Sequence, residues 1–148
     1  TTLTALDILG QDEESEKYYL SVGILGLSQA LGRRFSFRHT AMGFMRDIAN
    51  EFHEIVNLSV PSGRNVFYIN MTLPSAEGYY KSRRLTSFTM PMHCTASGKC
   101  MLAFMPRKKV LEYLSGGLEA VTATTITDDV ALLQELGKIR EIGYGIAD

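Results

Sequence analysis

The stretch MPMHCTASGKCMLAF, Met90 to Phe104, sets a His, two Cys, a Gly-Lys pair and two hydroxyls between apolar residues. Such residue types can cradle a phosphate, ligate a metal, activate a thiol, or bind an organic acid at a helix N-terminus. A phosphate loop needs Gly-x4-Gly-Lys-Ser/Thr, so that backbone amides wrap the phosphates and a hydroxyl holds magnesium. Before Gly98-Lys99 the first glycine position holds His93, and Cys100 stands where the hydroxyl belongs. A structural zinc closes with four ligands, typically including a C-x2-4-C pair. Five residues separate Cys94 and Cys100, there is no second pair, and Cys100 falls on an apolar helical period where a free thiol is a small core residue. No metal is therefore expected, His39 and His53 notwithstanding.

A thiol nucleophile fares no better than the metal. Cys94 stands beside His93 near a helix start, which supplies both a dipole and a base. No third group that would orient the base is evident. The fourth chemistry uses backbone. After Pro91 a strand gives way to a helix that begins with Thr95, Ala96, Ser97 and Gly98. First-turn amides carry partial positive charge, and small side chains let a carboxylate reach them. Equally, Thr95 caps the helix and the small residues permit close packing. Chemistry alone leaves both readings standing.

The elements that position this stretch can be read from periodicity. Leu20, Ile24, Leu27 and Leu31 predict a helix over Tyr18 to Leu31, with QDEESEK as the loop before it. A second helix is expected from about Arg38 to His53, burying Ala41, Phe44, Met45, Ile48, Ala49 and Phe52. IVNLSV and NVFYINM, separated by PSGR, predict a β-hairpin over Ile55 to Met71, and RLTSFTM a third strand ended by Pro91. Further helices follow: one capped by Thr95, one entered at Pro106 and broken by SGG, and one with Leu132, Leu136 and Ile139 on a single face that stops at Gly143. YGIA should begin a strand. Hairpins exclude a purely parallel sheet, so the fold class is α+β, with helices around a central antiparallel sheet.

The chain of 148 residues has the size of one domain with a real core, and its net charge of −1 gives no global sign of a nucleic-acid or membrane partner. Its basic clusters, such as Arg107-Lys108-Lys109, are short and read as solvated faces. The two Cys suit a reducing cytoplasm rather than a disulfide framework. No apolar run is long enough to cross a membrane, and the first residues lack the pattern of a signal peptide.

MPMHCTASGKCMLAF resembles the P-x-H-x-x-A-x-G-K-x-x-L-A motif in the effector-binding domain of IclR-family bacterial transcriptional regulators. TTITDDVALLQELGKIREIGY and EKYYLSVGILGLSQAL are similar to two further segments of that family, in order, across Lys17 to Asp148. The resemblance implies a GAF-like domain that senses a small organic acid and signals to a winged-helix DNA-binding domain, most of which is absent here. It divides the chain into residues 1–16, a remnant of the DNA-binding domain and its wing; 17–34, an N-terminal linker helix; and 35–148, the effector-binding domain, incomplete at its C-terminus. It implies a homodimer or homotetramer without catalytic residues, cofactor or metal, in the cytoplasm.

Carried onto this sequence, the resemblance places effector contacts at Ala96 and Ser97, with Met90 lining the pocket. Asp148, or the adjacent Ala147, takes the place of an acidic contact. His93, Thr95 and Gly98 complete the candidate set. His93 either locks the strand–helix turn or touches the effector, and Lys99 either neutralises an acidic ligand or serves structure. Two other functions stand beside this one: a GAF-like thiol enzyme using Cys94 or Cys100, and a pure oligomerisation module.

Overall fold

The computed structural model describes residues 1–75 and 89–147, and Arg34 by its backbone alone. It divides into two compact units, Thr1–Phe44 and Met45–Asp148. The first unit opens with the short helix α1 (Thr2–Ala5), then the strands β1 (Leu9–Gln11) and β2 (Tyr18–Leu20), and the helix α2 (Gly23–Arg34). β1 and β2 pair antiparallel, Gly10 opposite Tyr19. The helix expected from Tyr18 thus begins five residues later, at Gly23. Two contacts from Asp7 hold the chain out of helix there: its carboxylate accepts from the Ser21 hydroxyl, and its carbonyl accepts the Gly23 N–H at 3.0 Å. The apolar period of α2 is real, but Leu25, Leu27 and Leu31 are exposed.

The boundary between the units falls within the helix α3 (Phe37–Phe52). Of the six residues expected to be buried along it, Met45 and Ala49 are, while Phe44, Ile48 and Phe52 are exposed. An amphipathic pattern fixes which face is apolar, not how much of it a neighbour covers.

In the second unit, β3 (Val56–Ser62) and β4 (Asn65–Thr72) form the expected hairpin, turning at Gly63 and Arg64 with Gly63 at φ 59. A register shift at Leu58/Ser59 marks a bulge opposite Ile69. Pro61 is tolerated because β3 pairs on one side only among the described residues, so its missing N–H breaks no ladder. β5 (Thr89–Pro91) pairs with the other edge of β4, giving the order β3-β4-β5, all antiparallel. The rest of the expected third strand, including Ser87, lies outside the described residues.

One 3-10 turn (Met92–Cys94) leads into α4 (Ala96–Phe104), followed by α5 (Arg107–Ser115) and α6 (Asp129–Ile142). α4 lies against β3 and β4, and α6 packs on α4. Val66 from the sheet, Leu102 from α4 and Leu132, Leu136 and Ile139 from α6 are fully buried in the core between them. Asp128 caps α6 by accepting the Ala131 N–H at 2.8 Å, and Gly143 ends it at φ 87. The strand expected at YGIA does not form: Tyr144 to Ala147 join no ladder among the described residues, and a strand exists only through its partner. The architecture is α+β, an antiparallel sheet with helices packed on it.

Candidate functional site

The stretch from Met90 to Gly98 forms one continuous corner. β5 brings in half-buried Met90, the 3-10 turn reverses the chain, and Thr95 adopts the extended conformation of an N-cap (φ −123, ψ 148). Its hydroxyl accepts the Gly98 N–H at 3.0 Å, and its carbonyl accepts the Lys99 N–H at 2.9 Å. The amides of Ala96 and Ser97 then have no acceptor inside the helix. Both residues are half-buried, at the positive end of α4.

Thr95 and Gly98, both in the candidate set, hydrogen-bond to each other. Thr95 is buried, and a Cβ at Gly98 would stand 2.5 Å from the Met92 Cα. Only glycine lets the 3-10 turn press so closely on α4. Ala96 and Ser97 are the first-turn residues outside this cap. Asp148 lies outside the described residues.

His93 is 2% exposed, and both of its ring nitrogens are engaged. Nε2 lies 2.8 Å from the Glu119 carbonyl, which can only accept, so Nε2 carries the proton. Nδ1 lies 2.8 Å from the Tyr113 hydroxyl, which donates to it and accepts the His93 backbone N–H at 3.3 Å. This arrangement favours the turn-locking role over effector contact. Burial pushes the Tyr113 phenol above its ordinary value, so it stays protonated and able to donate. The Arg64 guanidinium lies 4.3 Å from the centroid of the Tyr113 ring and donates to the carbonyls of Tyr113 and Gly117.

The same bonds bear on the thiol. With both nitrogens engaged, His93 has no lone pair left to serve as the base for Cys94. The Cys94 S–H donates to the Pro91 carbonyl at 3.1 Å, and burial pushes its thiol upward, away from the thiolate that a nucleophile needs. Cys100 packs against the core. Among the described residues no group of three or more His, Cys, Asp or Glu could hold a metal ion. Lys99, with its side chain 10% exposed, pairs with Glu135 of α6 at 3.2 Å.

Among the described residues two cavities flank the corner, and His93 lines both. One of about 280 Å³ lies between Cys94, Lys99, Thr125, Glu135, Ile146 and Ala147. The other, about 480 Å³, is walled by Arg64, Asn65, Tyr113, Gly117 and Glu119. Arg64, Tyr113 and Glu119 have no sequence motif around them. The one available signal is a tyrosine on the buried face of α5, whose hydroxyl must find a partner.

Residues 29–148 match the family model of the bacterial transcriptional regulator IclR C-terminal domain. The HTH-type transcriptional regulator Rv1719 of Mycobacterium tuberculosis is 34% identical over 100 residues, which cover 68% of this chain and 38% of that protein. The crystal structure of the Thermotoga maritima IclR superposes with a TM-score of 0.70 at 30% identity, covering 97% of this chain and 57% of that one. An IclR homologue from Microbacterium hydrocarbonoxydans, complexed with 4-hydroxybenzoate, has a TM-score of 0.78 over 96% of this chain and 58% of its own. At 22% identity that last likeness is one of fold. The chain thus spans from 38% to 58% of the length of these relatives. It belongs to the IclR family of bacterial transcriptional regulators and carries the family's C-terminal domain.

Proposed function

We propose that this chain is the effector-sensing part of a cytoplasmic, DNA-binding transcriptional regulator, and that it binds a small organic acid without transforming it. The observation that carries this is the pair of amides at Ala96 and Ser97, left without helical partners at the start of a nine-residue helix. A carboxylate there accepts two N–H groups and meets the helix dipole. Each hydrogen bond to an ionised acceptor contributes about 1.5–3 kcal/mol. Half-buried Met90 on β5 is the apolar residue assigned to line the pocket in this reading. The 4-hydroxybenzoate bound by the Microbacterium relative supports an aromatic hydroxy acid as the first ligand to test.

Binding that orders this corner shifts the population of regulator conformations, and the winged-helix domain reads the shift on DNA. The exposed leucines of α2 serve self-association, as a homodimer or homotetramer. A thiol enzyme is disfavoured by a protonated Cys94 with no base. No helix among the described residues is long and apolar enough to cross a membrane.

A thermal-shift screen of benzoates, hydroxybenzoates and short oxo acids tests the reading. A ligand at a hundred times its Kd stabilises the fold by about 2.7 kcal/mol. Silence across the panel with the fold intact would favour a pure oligomerisation module.

A further inference from the structure

Arg64 and Tyr113 lie far apart in sequence, and both lie outside the Met90–Gly98 corner. Their contacts nevertheless converge on the turn that launches α4. The Arg64 backbone carbonyl accepts the Met92 N–H at 3.1 Å, while its side chain stacks on Tyr113 and donates to the Tyr113 carbonyl in the last turn of α5 and the Gly117 carbonyl just past it. The Tyr113 hydroxyl in turn holds His93 at two points, backbone N–H and ring Nδ1. Glu119 closes the other side of the ring. The 3-10 turn is thereby fixed by the hairpin from one direction and by α5 and its following loop from another. Met92 in this turn presses directly on Gly98, inside the first turn of α4.

We infer that Tyr113, clamped by Arg64, is a positioning residue for the Ala96 and Ser97 amides, acting through His93 and the Met92–Cys94 turn. The ligand-binding side of this inference rests on the effector reading; the geometric side does not. The Tyr113 hydroxyl sets where the turn sits, and the turn sets where the amides point. Amide donors discriminate sharply on direction, so a small rotation of the turn weakens a two-point grip on a carboxylate while leaving the core of α6 in place.

The test is heteronuclear NMR on the ¹⁵N-labelled chain, with 4-hydroxybenzoate as the probe ligand. Tyr113→Phe keeps the ring under Arg64 and removes only the hydroxyl. The expected result is movement of the Ala96 and Ser97 amide resonances and of the His93 Nδ1 resonance. The amides of Leu136 and Ile139 stay in place, and 4-hydroxybenzoate binds roughly tenfold more weakly. A generally loosened fold would move the α6 amides as well, and that outcome overturns the inference. So do Ala96 and Ser97 resonances that stay where they are. Should Tyr113→Phe not fold, Arg64→Lys decides, since it keeps the hydroxyl but removes the stacked fork: movement at Ala96 and Ser97 supports the inference, and none overturns it. A wild-type chain that ignores 4-hydroxybenzoate and the rest of the acid panel defeats the effector reading. The amide resonances still decide the positioning.

Discussion

Lys99 Nζ stands 3.2 Å from Glu135 Oε1, tying the start of α4 to the middle of α6. The ammonium is thus committed to a carboxylate within the fold, and the proposed acid site at the start of α4 is left to its amides. Lys99→Met should lower stability by about 1–2 kcal/mol, between the values for exposed and buried pairs. It should leave ligand affinity within a factor of about two, because amides and dipole do the binding. Urea unfolding and calorimetric titration of the same variant separate the two effects; a large loss of affinity at unchanged stability would make Lys99 a ligand-binding cation.

Two glycines in helices should respond to alanine with opposite signs. In an open helix interior, alanine is worth up to about 1 kcal/mol over glycine. Gly137 in α6 has nothing within 4 Å of its missing Cβ, so Gly137→Ala should stabilise by roughly that amount. At Gly98 the Met92 backbone fills the space, so Gly98→Ala should destabilise by about 1–3 kcal/mol and displace the turn before α4. Thermal midpoints of the two variants on either side of wild type are the expected outcome.

Cys94 and Tyr113 are weak acids whose buried sites favour the protonated form. Above the ordinary thiol value of about 8.5, the unfolded chain loses a proton that the folded chain keeps. The resulting stability is fully present below that value and is lost as pH rises through the raised one. The urea midpoint should therefore fall with pH in that alkaline window. Cys94→Ala should flatten the first part of the slope, and iodoacetamide should label wild-type Cys94 slowly at neutral pH. Rapid labelling there would point to a thiolate and revive the enzyme reading.

Leu25, Leu27 and Leu31 place more apolar surface on α2 than a soluble helix leaves bare without a partner. Sedimentation at tens of micromolar should show a dimer or tetramer, and Leu27→Glu with Leu31→Glu should shift it to monomer. A wild-type chain that sediments as a single monomer contradicts the proposed self-association.

Local signals carried much of this fold into the sequence. Thr95 announced a helix start, Gly143 announced a stop, and the Leu132–Leu136–Ile139 stripe identified the buried face of α6. Errors arose where distant partners decide. Tyr18 to Leu20 have helical spacing, but Asp7 and β1 draw them into a hairpin. Phe44 and Phe52 are apolar on cue, but the sequence carries no statement of what covers them. In the candidate site, Ala96 and Ser97 were legible because a cap and small residues mark a helix start. The brace behind them was not: Arg64 reaches Tyr113 and Gly117 across 49 and 53 residues of chain, and no spacing rule encodes such a contact.

The central claim is that an organic acid sits on the Ala96 and Ser97 amides. The most direct measurement is one thermal-shift panel of organic acids, run in parallel on wild type and Ala96→Trp, whose indole fills the space above those amides. At least one acid should raise the wild-type midpoint in a concentration-dependent way and leave the variant, folded with its own unliganded midpoint, unmoved. Equal shifts in both proteins, or none in the wild type, would contradict the account.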